Sequence, residues 1–325
     1  MKMIFLIGSP RSGTTWVAKI FDSHPDVLYR HEPDSVVVSE EIPFFPKSEE
    51  MEALVPATRE YFSRLWDVRQ LKSAGSLPVF PKSYFTGFMN AFRAKFLFML
   101  KAIGAVAHRL GLPSDVKVPA ISRKKMAEGK IVPVMKSVNS NCRTGLVARA
   151  FPDGRVVHIL RHPCGYVSSQ LRGRKLKLME NVVFYEEVAA MPLSQERGWT
   201  VEKLKDMSLE EQLACTWVSF NEKVMQDIQG LENCYDLVYE DLCDDPIGVT
   251  KKLFDFCGLA YNGQTDAFLQ SSLNYEGGPE KYHQTVRDPK TAAEKWKKEL
   301  DSDQVERIRN IVSGTIAGDR YADRF

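Results

Sequence analysis

The sequence predicts an α/β fold in which a parallel β-sheet is flanked by helices and interrupted by a helical insertion. Three observations lead there. The apolar run of residues 3–7 passes at once into a glycine-rich turn and then a helical pattern. A second unit of the same kind opens at Lys130-Ile-Val-Pro-Val-Met135. Strand-like and helix-like segments then alternate as far as Phe256, the pattern of parallel strands joined by crossover helices.

Each element has its own reason. Residues 3–7 are apolar without alternation, as in a strand covered on both faces. From Thr15 the apolar residues Trp16, Val17, Ile20 and Phe21 recur at helical spacing, and His24-Pro25 stops the helix because proline disfavours a helical residue before it. The strand at 130–135 ends at Lys136, and a helix is expected from Leu146 to Phe151. Arg155–Leu160 reads as the next strand, which Arg161-His162-Pro163 terminates ahead of a helix from Cys164 to Leu171. A helix over roughly Leu209–Gln229, a strand over Cys234–Tyr239 and a helix over Val249–Phe256 complete the series.

Residues 40–129 break the alternation. Pro43, Pro46, Pro56, Pro78 and Pro81 punctuate the stretch, and Tyr84–Leu110 is long, apolar and basic. The expectation is a helical insertion inside a single domain spanning 1–325. Arg93, Lys95, Lys101 and Arg109 surround the run Phe96–Leu100, so a membrane-spanning helix is excluded. A core-packed helix over a binding cleft is expected; peripheral contact of 84–110 with a membrane is the alternative.

With 44% hydrophobic and 26% charged residues, the composition is that of an ordinary globular chain. A net charge of +2 argues against a nucleic-acid binder, whose footprint is strongly basic. The six cysteines are scattered with no C-x-x-C pair, so they read as reduced core thiols rather than a zinc site or disulfide framework. The apolar run near Met1 is too short for a signal segment, so a cytoplasmic protein is expected.

The first functional pattern is Gly8-Ser9-Pro10-Arg11-Ser12-Gly13-Thr14-Thr15, between the first strand and the first helix. Backbone N–H groups and the positive end of the helix dipole converge there, which suits a phosphate. The glycine spacing is of the P-loop type, but Thr14 stands where nucleoside-triphosphate enzymes carry a lysine. The cation is instead Arg11. This disfavours the rival reading, a kinase or NTPase on the same scaffold. The second pattern is Leu160-Arg161-His162-Pro163 followed by Ser169. A guanidinium at a strand end and a hydroxyl on the next helix can together clamp one phosphate.

Read together, these segments resemble the sulfotransferases that use 3′-phosphoadenosine 5′-phosphosulfate (PAPS) and release the 3′,5′-bisphosphate PAP. The loop through Trp16, the continuation Asp22–Val27 and His31-Glu32-Pro33 are closest to the carbohydrate and tyrosyl-protein branches. The resemblance runs from about residue 3 to 312 but does not extend over roughly 40–129, where the acceptor would be recognised. It implies a P-loop-type sheet and a 5′-phosphosulfate site made by Arg11, Ser12, Gly13, Thr14 and Thr15. Trp16 would lie against adenine, with core packing as the equal alternative for it and for Trp217. Arg161 and Ser169 would hold the 3′ phosphate, with Arg287 and Lys290 as candidates from a late basic loop. Tyr239-Glu240-Asp241-Leu242 matches a structural block of the family.

Sulfuryl transfer, by analogy with phosphoryl transfer, needs cations at the leaving oxygen and a base at the nucleophile. Arg11 and Lys136 are the candidate cations, and no metal is called for. Cytosolic sulfotransferases carry a histidine base two residues after the lysine, where this chain has Val138. Glu32, matching the glutamate base of the other branches, is therefore the first candidate, with a pKa expected to be raised in a closing pocket. His31 and His283 compete with it. A nucleotide-binding protein without catalysis is a further alternative. The acceptor is expected to be a small molecule or a glycan.

Overall fold

Five parallel strands form one sheet in the order β2-β3-β1-β4-β5: β1 (Ile4–Gly8), β2 (Val27–His31), β3 (Val132–Ser137), β4 (Arg155–Leu160) and β5 (Cys234–Val238). The structure is a computed structural model describing residues 3–110, 116–119, 130–178, 184–274 and 288–325. The main helices are α1 (Thr14–Ser23), α2 (Met51–Arg64), α3 (Gly87–Arg109), α4 (Thr144–Ala150), α5 (Pro163–Lys175), α6 (Leu209–Ile228), α7 (Tyr239–Asp244), α8 (Pro246–Cys257) and α9 (Pro289–Glu294).

The apolar strands follow from burial on both faces. Ile4 and Leu6 of β1 join Trp16, Phe21 and Phe254 in one core layer, while Phe5 and Ile7 join Phe62, Trp66 and Val147 in the other. A third cluster surrounds Trp217, Trp296 and Tyr321 beyond the end of β4. β1 lies at the centre. The chain leaves it toward β2 and β3 on one side and toward β4 and β5 on the other. The loop after β1 therefore opens where the connections diverge, the place at which open parallel sheets bind ligands.

The expected elements lie at their expected positions, with three differences. Val27–His31 is a strand that the apolar pattern does not disclose, because Arg30 and His31 interrupt it. β3 runs one residue past its expected end at Lys136, to Ser137. The segment 84–110 is not core-packed throughout. On α3, Leu97 is buried, whereas Phe88 is 81% exposed and Phe92, Met99, Ile103 and Val106 are exposed as well, as is Leu110 just past its end. These positions fall on one stripe of a 3.6-residue helix, opposite Arg93 and Leu97. Among the described residues no helix is long and apolar enough to cross a membrane. Residues 40–129 hold α2, α3 and the short helix Leu71–Ala74. All six cysteines are thiols, and all but Cys234 are buried.

The end of α1 is fastened by a buried charge triad. Asp22 pairs with Lys19 at 2.7 Å and with Lys82 at 3.0 Å. Lys19 also donates to the carbonyls of Ser76 (2.9 Å) and Pro78 (3.0 Å), tying the insertion to the sheet. Removing the shared carboxylate leaves two buried ammonium groups without a counter-charge, the costly way to break such an arrangement. Asp22→Asn should lose about 3–5 kcal/mol in urea unfolding. Glu294→Gln, which breaks the exposed Lys297–Glu294 pair, should lose less than about 1 kcal/mol. Equal losses for the two variants would show that the triad does not fasten the insertion.

Candidate functional site

The loop between β1 and α1 is built for close approach. Gly13 has φ 80°, and a Cβ there would fall inside the ring of Tyr239, so only glycine fits. A Cβ on Gly8 would stand 2.6 Å from the carbonyl oxygen of Ile159. Arg11 also adopts a positive φ, 74°, which non-glycine residues take at a cost. Ser12 closes the loop by donating its N–H to the Ser9 carbonyl at 3.1 Å. Ser12 and Thr14 are buried, and Thr15 is half-buried on the first turn of α1. The first N–H groups of that helix have no intrahelical acceptor and face the loop's concavity.

Arg11, Ser169 and Arg161 come together from three elements. The Arg11 Nε donates to Ser169 Oγ at 3.0 Å, and Arg161 donates to the Arg11 carbonyl at 2.7 Å. A second Arg161 nitrogen donates to the Ala292 carbonyl of α9 at 3.0 Å, which brings the exposed Lys290 helix to the same corner. The Arg161 carbonyl accepts from Trp217 Nε1 at 3.0 Å, so Trp217 is a buried support of the strand end. Trp16 packs edge-on against Tyr239, with ring centroids 6.0 Å apart, and belongs to the core. Arg287 and His283 lie outside the described residues.

Glu32 and Lys136 form the second centre. β2 pairs with β3 in a register that sets His31 beside Lys136, and the Glu32 N–H donates to the Lys136 carbonyl at 2.8 Å. The Lys136 ammonium, 2% exposed, hydrogen-bonds the Glu32 carboxylate. Glu32 itself has φ 44°, a turn out of the strand that swings its side chain back over β3. His31 Nε2 lies 3.9 Å from Glu32 Oε1, and His31 Nδ1 is 2.9 Å from the Tyr29 hydroxyl.

The expected rise in the Glu32 pKa is not what this environment produces. Burial pushes the carboxyl up, but Lys136 and then His31 outweigh it and hold it below the usual carboxylate value. Burial drives the Lys136 ammonium below the ordinary lysine range against the pull of Glu32. Burial, then Lys136, brings His31 down to about 4, so its imidazole is neutral at pH 7. The site thus holds an ionised carboxylate and a neutral histidine side by side.

Sequence reasoning missed Asn141 and Asp34, and gave Tyr239 and Glu240 only as part of a structural block. Asn141 Nδ2 donates to Ser9 Oγ at 3.0 Å, and its buried Oδ1 has no partner. Asp34, two residues after Glu32, accepts from Ser137 and from Ser140 (2.7 Å), and burial raises its pKa. Glu240 accepts from the His162 N–H at 3.1 Å and from the Tyr321 hydroxyl at 3.0 Å. The Tyr239 ring lies 5.5 Å from the Arg161 guanidinium. Only Tyr239 and Glu240 left a trace in the sequence, as part of the late Tyr-Glu-Asp-Leu block. The residues fit a ligand with two phosphates: a buried Arg161 Nε stands without an acceptor at one end, and the glycine cradle lies at the other.

Comparison with known proteins agrees. A family model described as "Sulfotransferase family" matches residues 3–263. Carbohydrate sulfotransferase 5 of Mus musculus is 22% identical over 96% of this chain and 79% of its own length. Carbohydrate sulfotransferase 1 of Homo sapiens is 22% identical over 97% and 78%, respectively. A match to carbohydrate sulfotransferase 2 of Homo sapiens, 23% identical, covers 51% of this chain and 34% of that protein. Among solved structures, the sulfotransferase domain of the Synechococcus PCC 7002 olefin synthase covers 95% of this chain and 94% of its own. That pair has 17% identity and a TM-score of 0.44. With the family model spanning most of its length, the chain belongs to the sulfotransferase family, enzymes whose sulfuryl donor is PAPS and whose nucleotide product is PAP.

Proposed function

We propose that this sulfotransferase moves the sulfuryl group of PAPS onto a hydroxyl or amine of a carbohydrate or small-molecule acceptor, with Glu32 as the base. The observation that carries the reading is the Lys136–Glu32 pair beside the glycine loop: a cation and an ionised carboxylate in contact, 104 residues apart in sequence. The names of the similar carbohydrate sulfotransferases support a carbohydrate acceptor.

Bound PAPS would supply an activated sulfuryl group whose bond to the 5′ phosphate breaks as the acceptor attacks. Ser12, Gly13, Thr14 and Thr15 offer backbone and hydroxyl donors to that phosphate. Arg11 and Lys136 bring positive charge to the leaving oxygen, where preorganised cations stabilise the developing charge. Glu32 takes the acceptor's proton. Arg161 and Ser169 hold the 3′ phosphate, with Lys290 on the helix tied to Arg161. Trp16 supports the loop from beneath, as part of the core.

Three measurements test this. PAP at ~100 times its dissociation constant should stabilise the protein by roughly 2.7 kcal/mol in a thermal-shift titration. ADP should do markedly less, and Arg161→Ala should weaken PAP binding by about 1.5–3 kcal/mol, the worth of a charged hydrogen bond. A response to ATP with magnesium but not to PAP would move the reading to a kinase. Glu32→Gln should keep PAP affinity while turnover falls about 10²–10⁴-fold; unchanged turnover would pass the role to His31 or His283. The third is the pH profile of kcat/KM for PAPS, which reports the enzyme without bound donor. Because Lys136 and His31 hold the Glu32 carboxyl below its ordinary value, the ionised base persists as pH falls through the usual carboxylate range. The acid limb should therefore lie below that range, and a limb near neutrality would count against Glu32.

A further inference from the structure

A cavity of about 320 Å³ lies between α3, the edge strand β2 and the segments 74–79 and 118–119. That is the lower end of the range for small-molecule pockets. Arg11, Glu32, Lys136 and Arg161 do not line it, although Tyr29, which does, meets His31 through its hydroxyl at 2.9 Å. Its walls are mainly hydrocarbon, with Leu28, Phe85, Phe88, Phe92, Phe96 and Leu97 among the lining residues. Phe88 and Phe92 are also exposed, so the mouth opens onto the apolar stripe of α3.

Two guanidinium groups and one carboxylate line this apolar space, with Asp67 a further negative charge near Arg30. Arg30, Arg93 and Asp22 line it, and Asp22 is already shared by Lys19 and Lys82. Arg93 donates to the Phe80 carbonyl at 3.1 Å. Arg30 is 4% exposed, donates to the Tyr29 carbonyl at 3.1 Å, and its buried Nε has no hydrogen-bond partner. A buried guanidinium normally has its donors satisfied. Arg30 also lines the cavity, so an acidic head entering with a hydrocarbon body would meet its positive charge there.

We propose that this cavity binds the hydrocarbon chain of an amphiphile whose acidic head accepts from Arg30. Free long-chain acids and the anionic lipids of a bilayer share that chemistry. The second source suits the outer face of α3, because residues 83–110 carry Arg93, Lys95, Lys101 and Arg109 and no acidic residue. The inference goes beyond the sulfuryl-transfer reading and does not depend on it.

The test is calorimetric titration of the full chain with dodecanoate and with dodecanol, followed by co-sedimentation with vesicles of phosphatidylcholine alone or mixed with phosphatidylserine. Dodecanoate should bind at least about tenfold more tightly than dodecanol, the factor expected of one charged hydrogen bond. Arg30→Met should erase that preference. Val79→Trp, which fills the cavity from its lining, should abolish binding of both, and it keeps the test open if Arg30→Met does not fold. Sedimentation with phosphatidylserine vesicles that dodecanoate competes away supports the site with the bilayer as its source. Dodecanoate binding without sedimentation supports it with the free acid as source. Absence of dodecanoate binding, equal affinity for acid and alcohol, or binding that survives Val79→Trp overturns the proposal. PAP stabilisation, measured alongside, should be the same in both variants and the parent, so failure here is distinguishable from failure of the sulfotransferase site.

Discussion

The contact on which the site depends is the hydrogen-bonded ion pair between Lys136 and Glu32. An ammonium that is 2% exposed is expensive unless a carboxylate meets it, and even a paired buried charge rarely gains stability over a hydrophobic pair. Three backbone features make the contact: the parallel pairing of β2 with β3, the register that sets His31 against Lys136, and the left-handed turn at Glu32. Shifting that register by one residue would turn the side chains of β2 to opposite faces and break the pair.

The other half of the site depends on one guanidinium. Arg161 joins the loop carbonyl of Arg11 to the carbonyl of Ala292, while its own carbonyl is held by Trp217 and its plane lies near Tyr239. Tyr239 in turn packs where a side chain on Gly13 would have to go. The loop's positive φ values at Arg11 and Gly13 are thus flanked by Arg161 and by Tyr239, which shares a core cluster with α1. Such strain persists only when its surroundings over-determine it, and it collects at ligand sites.

Much of this was readable from the residues. The apolar runs of β1 and β4 announce strands because both faces are buried, and the glycine spacing announces the loop because Gly13 has no alternative there. β2 was not legible. Its buried Arg30 breaks the apolar run, so Glu32 read as a residue following a turn rather than as the exit of an edge strand. Without the strand, nothing in the sequence brings Glu32 to Lys136, and the downward pull on its pKa could not be anticipated. The outer stripe of α3 failed for a different reason. Apolar residues lie all round that helix, so periodicity does not say which face meets the core. Asn141 and Asp34 act through partners on other elements, and no local pattern marks them.

The depressed pKa of Glu32 bears on how the base would act. A carboxylate held low is ionised across the physiological range but accepts protons poorly, since a good base has a pKa near the working pH. The largest influence lowering it is Lys136, and burial acts the other way. On the proposed reading, an anionic donor in the glycine loop would compete with Glu32 for the Lys136 ammonium. Were Lys136 drawn to that anion, Glu32 would lose the charge that lowers its pKa and keep the burial that raises it. Donor binding would then strengthen the proposed base and supply the proposed cation in the same step. A Glu32 deprived of Lys136 by substitution would be a stronger base in a site lacking its leaving-group cation. The two roles are therefore joined through one ammonium, and neither residue's contribution can be assigned without the other.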